Sequence, residues 1–445
     1  MISRTQHALK NLRQRLVGQH LRMAGFSLLL LFLLLSLQFD ATPLLVPVPE
    51  LVPPSGLRVL GVLITVALVV LLGMTGYLAP GVRYLKDSDR IAGITVQELR
   101  ERARNLARKL GLQPPRFRVA ALESVPFLAV MDRPGSRNDL LLVPTRPEIL
   151  RDAPLDAVLA HEVGHLWAHT GLQNALRLVY LAPFRVLRYA GYVLIYGAYL
   201  PRVGPLLALF PAVVYGLGFQ TLIQLLGTRT LLRWNTAIAY TNEFLADTVA
   251  LGLLDLEAVA NMLVRVHYRI LVQALMEDLA AYLERLAPYL SLPQKEVHQE
   301  VREALRQALE QHPYSVHQAS GTLLRRLLER FGHALGIPLL PEGPVDSKDL
   351  LSLLLERIPR RHRFAVARRT PATVLALDEP GPERYDRYPP YGWLDPGELR
   401  TLVQQAREAG RLSIADLPSD THPSILARLQ HLLWVAGLGQ PGQVL

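Results

Sequence analysis

The sequence contains no cysteine in 445 residues. That absence excludes disulfides, thiol nucleophiles and cysteine-ligated metal sites, so a bound metal would have to rest on histidine and carboxylate. Lysine is nearly missing as well, with five residues against 43 arginines, and the net charge of +10 is almost entirely guanidinium. Aromatic residues make up 7% of the chain. The most basic stretch, Arg360–Arg369, holds six basic residues counting His362, with Phe364 alone for base stacking. A solvated face near anionic headgroups fits that pattern better than a nucleic-acid surface, so no nucleic-acid partner is expected.

Hydrophobic residues supply 50% of the chain, gathered into long runs. Met23–Phe39 is uncharged and comes after Arg4, Lys10, Arg13, Arg15 and Arg22; no small-x-small cleavage site lies beyond it, against a signal peptide. Val59–Leu78 is a second run long enough for a bilayer, with Asp40 and Glu50 but no basic residue before Arg58 in the connection. Arg83, Lys86 and Arg90 come after it, so the positive-inside rule predicts a hairpin with both ends in the cytoplasm. Leu176–Leu200 and Pro205–Leu226 form a second candidate hairpin around Pro201-Arg202-Val203-Gly204. Arg185 and Arg188 would be expensive at bilayer depth, and a buried hairpin in a soluble core is the alternative. These runs predict a multi-pass protein of the cell membrane, with the lipid bilayer as a partner and the active site on the cytoplasmic side.

Between the hairpins, Val96–Leu110 reads as an amphipathic helix ending at Gly111. Arg116–Ala121, Phe127–Met131 and Leu140–Val143 read as short strands, the last two joined by a turn at Asp132–Asp139. Such strands offer an edge for an extended peptide, or are simply a structural hairpin. Beyond residue 255 the pattern is helical: Leu256–Leu286, Lys295–Glu310, Gly321–Leu335 and Lys348–Ile358, the last capped by Asp346-Ser347. Tyr385–Trp393 is a proline-aromatic loop, read as packed or as part of a substrate groove. His267, His317, His333 and the Gln311-His312-Pro313 triplet are read as ordinary surface or loop residues.

The chemistry concentrates in Leu155–His169, LDAVLAHEVGHLWAH, an apolar helical pattern with Pro154 at its start. Residues four apart on a helix share a face, so His161 and His165 aim at one point, where they can hold zinc with Glu162 beside its water. Chance would supply one such pentapeptide in roughly 2% of chains of this composition, but it does not predict a pair of carboxylates at helical spacing downstream. A third protein ligand is needed. His169 lies eight residues from His161, about a dozen ångströms along the helix, too far to share the ion. Glu243, in Asn242-Glu243-Phe244-Leu245-Ala246-Asp247, is the candidate. The carboxylate of Asp247, one turn on, can accept a hydrogen bond from a ligand histidine and fix its tautomer.

With these motifs in order, the chain resembles the integral-membrane zinc metalloproteases of the HtpX heat-shock type, related to the CAAX prenyl endopeptidases. The matching features are the first hairpin, Ala157–His165, the second hairpin, Glu243–Asp247, and Thr421-His422-Pro423 with Arg428 and Leu429 after it. The resemblance covers about Val59–Leu254 and Asp420–Leu432. It implies zinc on His161, His165 and Glu243, Glu162 as catalytic base, Asp247 bonded to a ligand histidine, and His422 as donor to the oxyanion, a structural role being the alternative for His422. The chain departs from the family pattern at Ala239-Tyr240, where Ser-Arg is common, and at Val125–Leu128, where a strand motif Asn-Ala-Phe-Ala is expected.

The expected fold class is α+β, mostly α-helical: a gluzincin-like zinc metalloprotease domain with a small sheet, combined with transmembrane hairpins. Three regions are expected: a membrane hairpin over 1–85, a protease core over 86–260 containing the second hairpin (about 176–226), and a helical region over 261–445 returning to the site near 421–432. The expected activity is hydrolysis of peptide bonds in membrane or misfolded proteins at the cytoplasmic face, with one zinc ion per chain. The alternatives are a prenyl-protein endopeptidase and a non-catalytic membrane scaffold with a degenerate site. The oligomeric state is not set by the sequence.

Overall fold

A computed structural model describes residues 2–45, 83–91, 93–112, 118–122, 128–131, 140–144, 154–223, 229–313, 315–337, 346–359, 394–408 and 422–438. The fold over these residues is α+β and mostly α-helical, with a small sheet, in line with the expected class. Val59–Leu78, the turn 132–139, Arg360–Arg369 and Tyr385–Trp393 lie outside the described residues.

The chain opens with α1 (Ile2–Leu45). Thr5, Ala8, Leu12, Leu16, Gln19, Met23 and Ser27 are all buried along it, at spacings of three, four and four residues. That 11-residue period is close to the helix's own repeat, so the stripe keeps to one side and faces the protein along its length. It packs chiefly on α5 (Arg229–Leu253).

Strand β1 (Arg83–Tyr84) and the ladder of β2 (Arg90–Ile91) with β3 (Ile94–Thr95) precede α2 (Val96–Lys109). Thr95 caps α2, its hydroxyl accepting from the Glu98 N–H at 3.1 Å, and the T-x-x-E spacing is that of a capping box. The four-stranded sheet then takes the order β1, β4 (Arg118–Leu122), β6 (Leu140–Pro144), β5 (Ala129–Met131). β4 and β6 are parallel, while β5 and β6 are antiparallel, as expected of a hairpin. β5 and β1 are the edge strands of this sheet, and β5 lies against α3 (Leu155–Trp167).

Helix α4 (Thr170–Ile223) contains the first central apolar run and the second as far as Ile223. It breaks at Gly204, whose φ of 78° and ψ of 170° belong to a region reserved for glycine. The two halves fold back on one another, so that a Cβ on Gly216 would meet the Tyr192 ring at 3.2 Å. A hairpin therefore forms where one was expected, but the membrane reading is corrected. Among the described residues no helix is long and apolar enough to cross a membrane. A multi-pass placement built on the Met23–Phe39, Leu176–Leu200 and Pro205–Leu226 runs, and with it the cytoplasmic address of the site, is overturned by that finding. The physical reason is visible in the elements. The first apolar run begins as a continuation of the protein-facing stripe of α1, with Met23 fully buried and the Ser27 hydroxyl donating to the Tyr180 carbonyl at 2.6 Å. Helix α4 carries Arg177, Arg185, Arg188 and Arg202 and is cut at Gly204.

Downstream come α6 (Leu256–Leu286), a 3₁₀ turn (Ala287–Leu290), α7 (Gln294–Gln311), α8 (Val316–Phe331), α9 (Ser347–Glu356), α10 (Pro396–Glu408) and α11 (Ile425–Val435). Asp255 caps α6 and Asp346 caps α9, each through its carboxylate. One large core joins α2, α3 and the sheet to α6–α11 through Leu99, Leu159, Leu279, Leu323 and Leu432, all essentially inaccessible. Asn261 on α6 clamps the backbone of Leu394 by two 2.9 Å hydrogen bonds, fixing the lead into α10. Helix α11 packs on α5 and α6 and closes the candidate site from the C-terminal side.

Candidate metal centre

Helix α3 is buried on nearly every face: Ala157–Gly164 and Leu166 are all inside. His161 and Glu162 are therefore polar groups placed in an apolar environment, and each needs a partner to be stable there. The partner helix is α5. Its backbone approaches so closely that a Cβ on Gly164 would lie 2.8 Å from the Ala246 Cα. This glycine sets how near α5 can bring Glu243 and Asp247 to the histidines.

Three side chains converge at that crossing. His161 Nε2 and His165 Nε2 are 3.2 Å apart. Glu243 holds Oε2 3.6 Å from the first and Oε1 3.6 Å from the second. Tetrahedral coordination with bonds of about 2.0–2.2 Å puts neighbouring ligand atoms about 3.3–3.6 Å apart. The observed triangle has that size, and among the described residues this is the group of metal-type ligands that can share one ion. His161, His165 and Glu243 can hold a metal ion.

The other ring nitrogen of His161, Nδ1, lies 2.9 Å from Asp247 Oδ1, the juxtaposition expected from the E-x-x-x-D spacing. Asp247 is wholly inaccessible. It accepts two hydrogen bonds from Arg428 on α11, Nη2 to Oδ1 at 2.7 Å and Nε to Oδ2 at 2.8 Å. Arg428 Nη1 also lies 3.2 Å from Glu243 Oε2. His422, ahead of α11, places Nδ1 3.2 Å from Glu243 Oε1 while its side chain stays 63% exposed, which puts it at the mouth of the site. Glu162 is 9% exposed and contributes to the negative field that Arg428 feels. His169, read as a non-ligand, is exposed at the corner between α3 and α4.

The charge states are set by these contacts. Burial alone would raise Glu243, but Arg428, His422 and the two histidines outweigh it and hold the carboxyl well below the usual range. Asp247 is likewise pushed down to about 2, because the Arg428 guanidinium overrides burial. Burial lowers His165 to about 4, so this imidazole is neutral at neutral pH and keeps a lone pair for a metal. Burial would lower His161 too, but the hydrogen bond and charge of Asp247 raise it. Arg428 is raised, since Asp247 and Glu243 outweigh its burial. Three buried carboxylates thus surround one buried guanidinium, and the shortfall of positive charge fits a divalent cation.

Three further residues contribute to the site without a role that the sequence alone assigns. Arg428 was only part of a motif, though an arginine in the apolar helix Ile425–Val435 is itself a signal of a buried partner. His431 on the same helix is buried, its Nε2 2.8 Å from Thr248 Oγ1 and its ring against Phe244. Gly164 signals its role only by being a glycine in mid-helix. Comparison with known protein families, with curated proteins and with solved structures finds no match for this chain.

Proposed function

We propose that this chain is a zinc-dependent endopeptidase that hydrolyses peptide bonds in proteins or peptides. The observation that carries the reading is the convergence of His161, His165 and Glu243 on one point, with Glu162 adjacent on the same helix. The order of motifs, which resembles that of the HtpX-type metalloproteases, supports it, as does a gluzincin-like arrangement of an active-site helix beside an edge strand. The donor set of two imidazoles and one carboxylate, without sulfur, is that of catalytic rather than structural zinc.

When bound, the ion supplies a Lewis acid for the scissile carbonyl and makes a water molecule more acidic. Glu162 takes a proton from that water as its oxygen attacks the carbonyl carbon. The same carboxylic acid then protonates the amide nitrogen as the C–N bond breaks, leaving a carboxylate and a free amine. His422, at the mouth, donates a hydrogen bond to the oxygen that gains negative charge in the tetrahedral species. The edge strand β5 lies against α3 and would hold an extended substrate segment by backbone hydrogen bonds.

The test is Glu162→Gln. Metal content should stay at one equivalent while cleavage of an unfolded substrate such as casein falls by at least about a thousandfold, since removing the general base and its charge together costs more than either alone. Cleavage that survives at the wild-type rate would refute the assignment. Zinc well under one equivalent in the wild-type chain would instead favour the non-catalytic reading.

A further inference from the structure

His161 has an evident orienting partner in Asp247, but the same question arises for His165. Its second ring nitrogen, Nδ1, lies 3.3 Å from the hydroxyl of Thr170, the first residue of α4. That contact is produced by a sharp corner. Helix α3 ends at Trp167, and its last turn closes with the Ala168 N–H on the Gly164 carbonyl at 2.9 Å. His169 then takes a left-handed backbone, φ 54°, which reverses the chain within one residue. Gln173 holds the corner from the far side: its backbone N–H donates to the His169 carbonyl at 3.1 Å, and its side-chain amide donates to the Ala168 carbonyl. With the corner fixed twice, Thr170 is carried back over the last turn of α3, and its hydroxyl faces the imidazole.

We propose that Thr170 is the positioning residue for His165. Its hydroxyl oxygen accepts from Nδ1–H, which keeps the ring proton on that nitrogen and leaves the Nε2 lone pair directed at the point shared with His161 and Glu243. The two histidines are then held by different chemistry. Asp247 gives His161 a charged acceptor, whereas Thr170 gives His165 a neutral one that fixes tautomer and ring angle without adding charge. His165 is the more solvent-accessible of the pair, 14% against 8% for the side chains, and has more need of such a restraint. This inference rests on the metal-binding reading of the site but on no reaction.

The experiment is a competition titration of the full metal-free chain with zinc against a chromogenic chelator, with cobalt(II) as the spectroscopic probe. Thr170→Val keeps the shape and removes the hydroxyl; Thr170→Ser keeps the hydroxyl and removes the methyl. Thr170→Val should weaken zinc binding about tenfold and change the visible cobalt spectrum, while Thr170→Ser should stay within about twofold of wild type. Wild-type affinity in Thr170→Val would overturn the proposal, and so would equal weakening in both variants, which would assign the effect to packing. Failure of the wild-type chain itself to bind zinc or cobalt would overturn the metal reading, and the proposal with it.

Discussion

His431 sits 4% exposed between Phe244 and Trp434, hydrogen-bonded through Nε2 to Thr248. Burial lowers its pKa to about 4, outweighing the opposing charge of Asp247. Between that value and the ordinary 6.5, the unfolded chain binds a proton that the folded chain does not. Stability therefore rises with pH across this window and is lost as pH falls from about 6.5 toward 4, by an upper bound of about 3 kcal/mol from this residue. His165 in the metal-free chain and His20 are lowered by burial and act with the same sign, whereas His161, raised by Asp247, acts with the opposite sign. Denaturant unfolding at pH 7.5 and pH 5 should show the loss, and His431→Gln should flatten the slope whatever its effect on absolute stability. An unchanged slope in the variant would remove His431 from the account.

At the level of elements, the crossing of α3 and α5 brings together the three residues that can hold a metal ion. Gly164 is a point of close approach between them. Alanine is the better helix former by about 1 kcal/mol, yet its methyl would meet backbone atoms of Ala246 that cannot rotate away. Gly164→Ala is expected to push the helices apart, lowering stability by about 1–3 kcal/mol and weakening zinc binding along with it, as thermal unfolding and metal titration would read. A gain in stability from the better propensity would mean that the crossing is loose. Other elements were legible because their signals are local. Helix α6 runs from its Asp255 cap to Leu286 as expected, and α2 from its Thr95 cap to Lys109, one residue short of the expected end. The antiparallel pairing of β5 with β6 was legible as two short apolar runs around a turn. In α1 the apolar run from Met23 predicts a membrane span, but the buried stripe of Thr5, Ala8, Leu12, Leu16 and Gln19, already present as a helical spacing, faces the protein.

On the scale of the whole molecule, α1 is a brace across every element of the centre. The Arg13 guanidinium lies 3.7 Å over the Trp167 ring at the end of α3. Gln19 meets the Thr241 hydroxyl on α5 at 3.0 Å, two residues before Glu243. Arg4 occupies the space a side chain on Gly437 would need, just beyond α11. Deleting residues 1–28 should therefore expose Leu231, Ile238, Phe244 and Leu245, abolish cooperative unfolding and lose zinc binding. A truncated chain with wild-type zinc affinity would show that α1 is an independent appendage.

The sequence by itself determined the pair His161 and His165 with Glu162 between them, because four-residue spacing on a helix is a local property of the chain. It also nominated Glu243 and Asp247, since one turn of helix relates them in the same way. The tertiary structure decided that these two sets share a site, 78 residues apart in sequence between His165 and Glu243. It decided too that Arg428, 181 residues beyond Asp247, neutralises the buried carboxylate beneath His161. Neither meeting leaves a periodic trace in the sequence. Each depends on α5 packing on α3, and α11 on α5 and α6, at one distance and angle, and only the closed core fixes both.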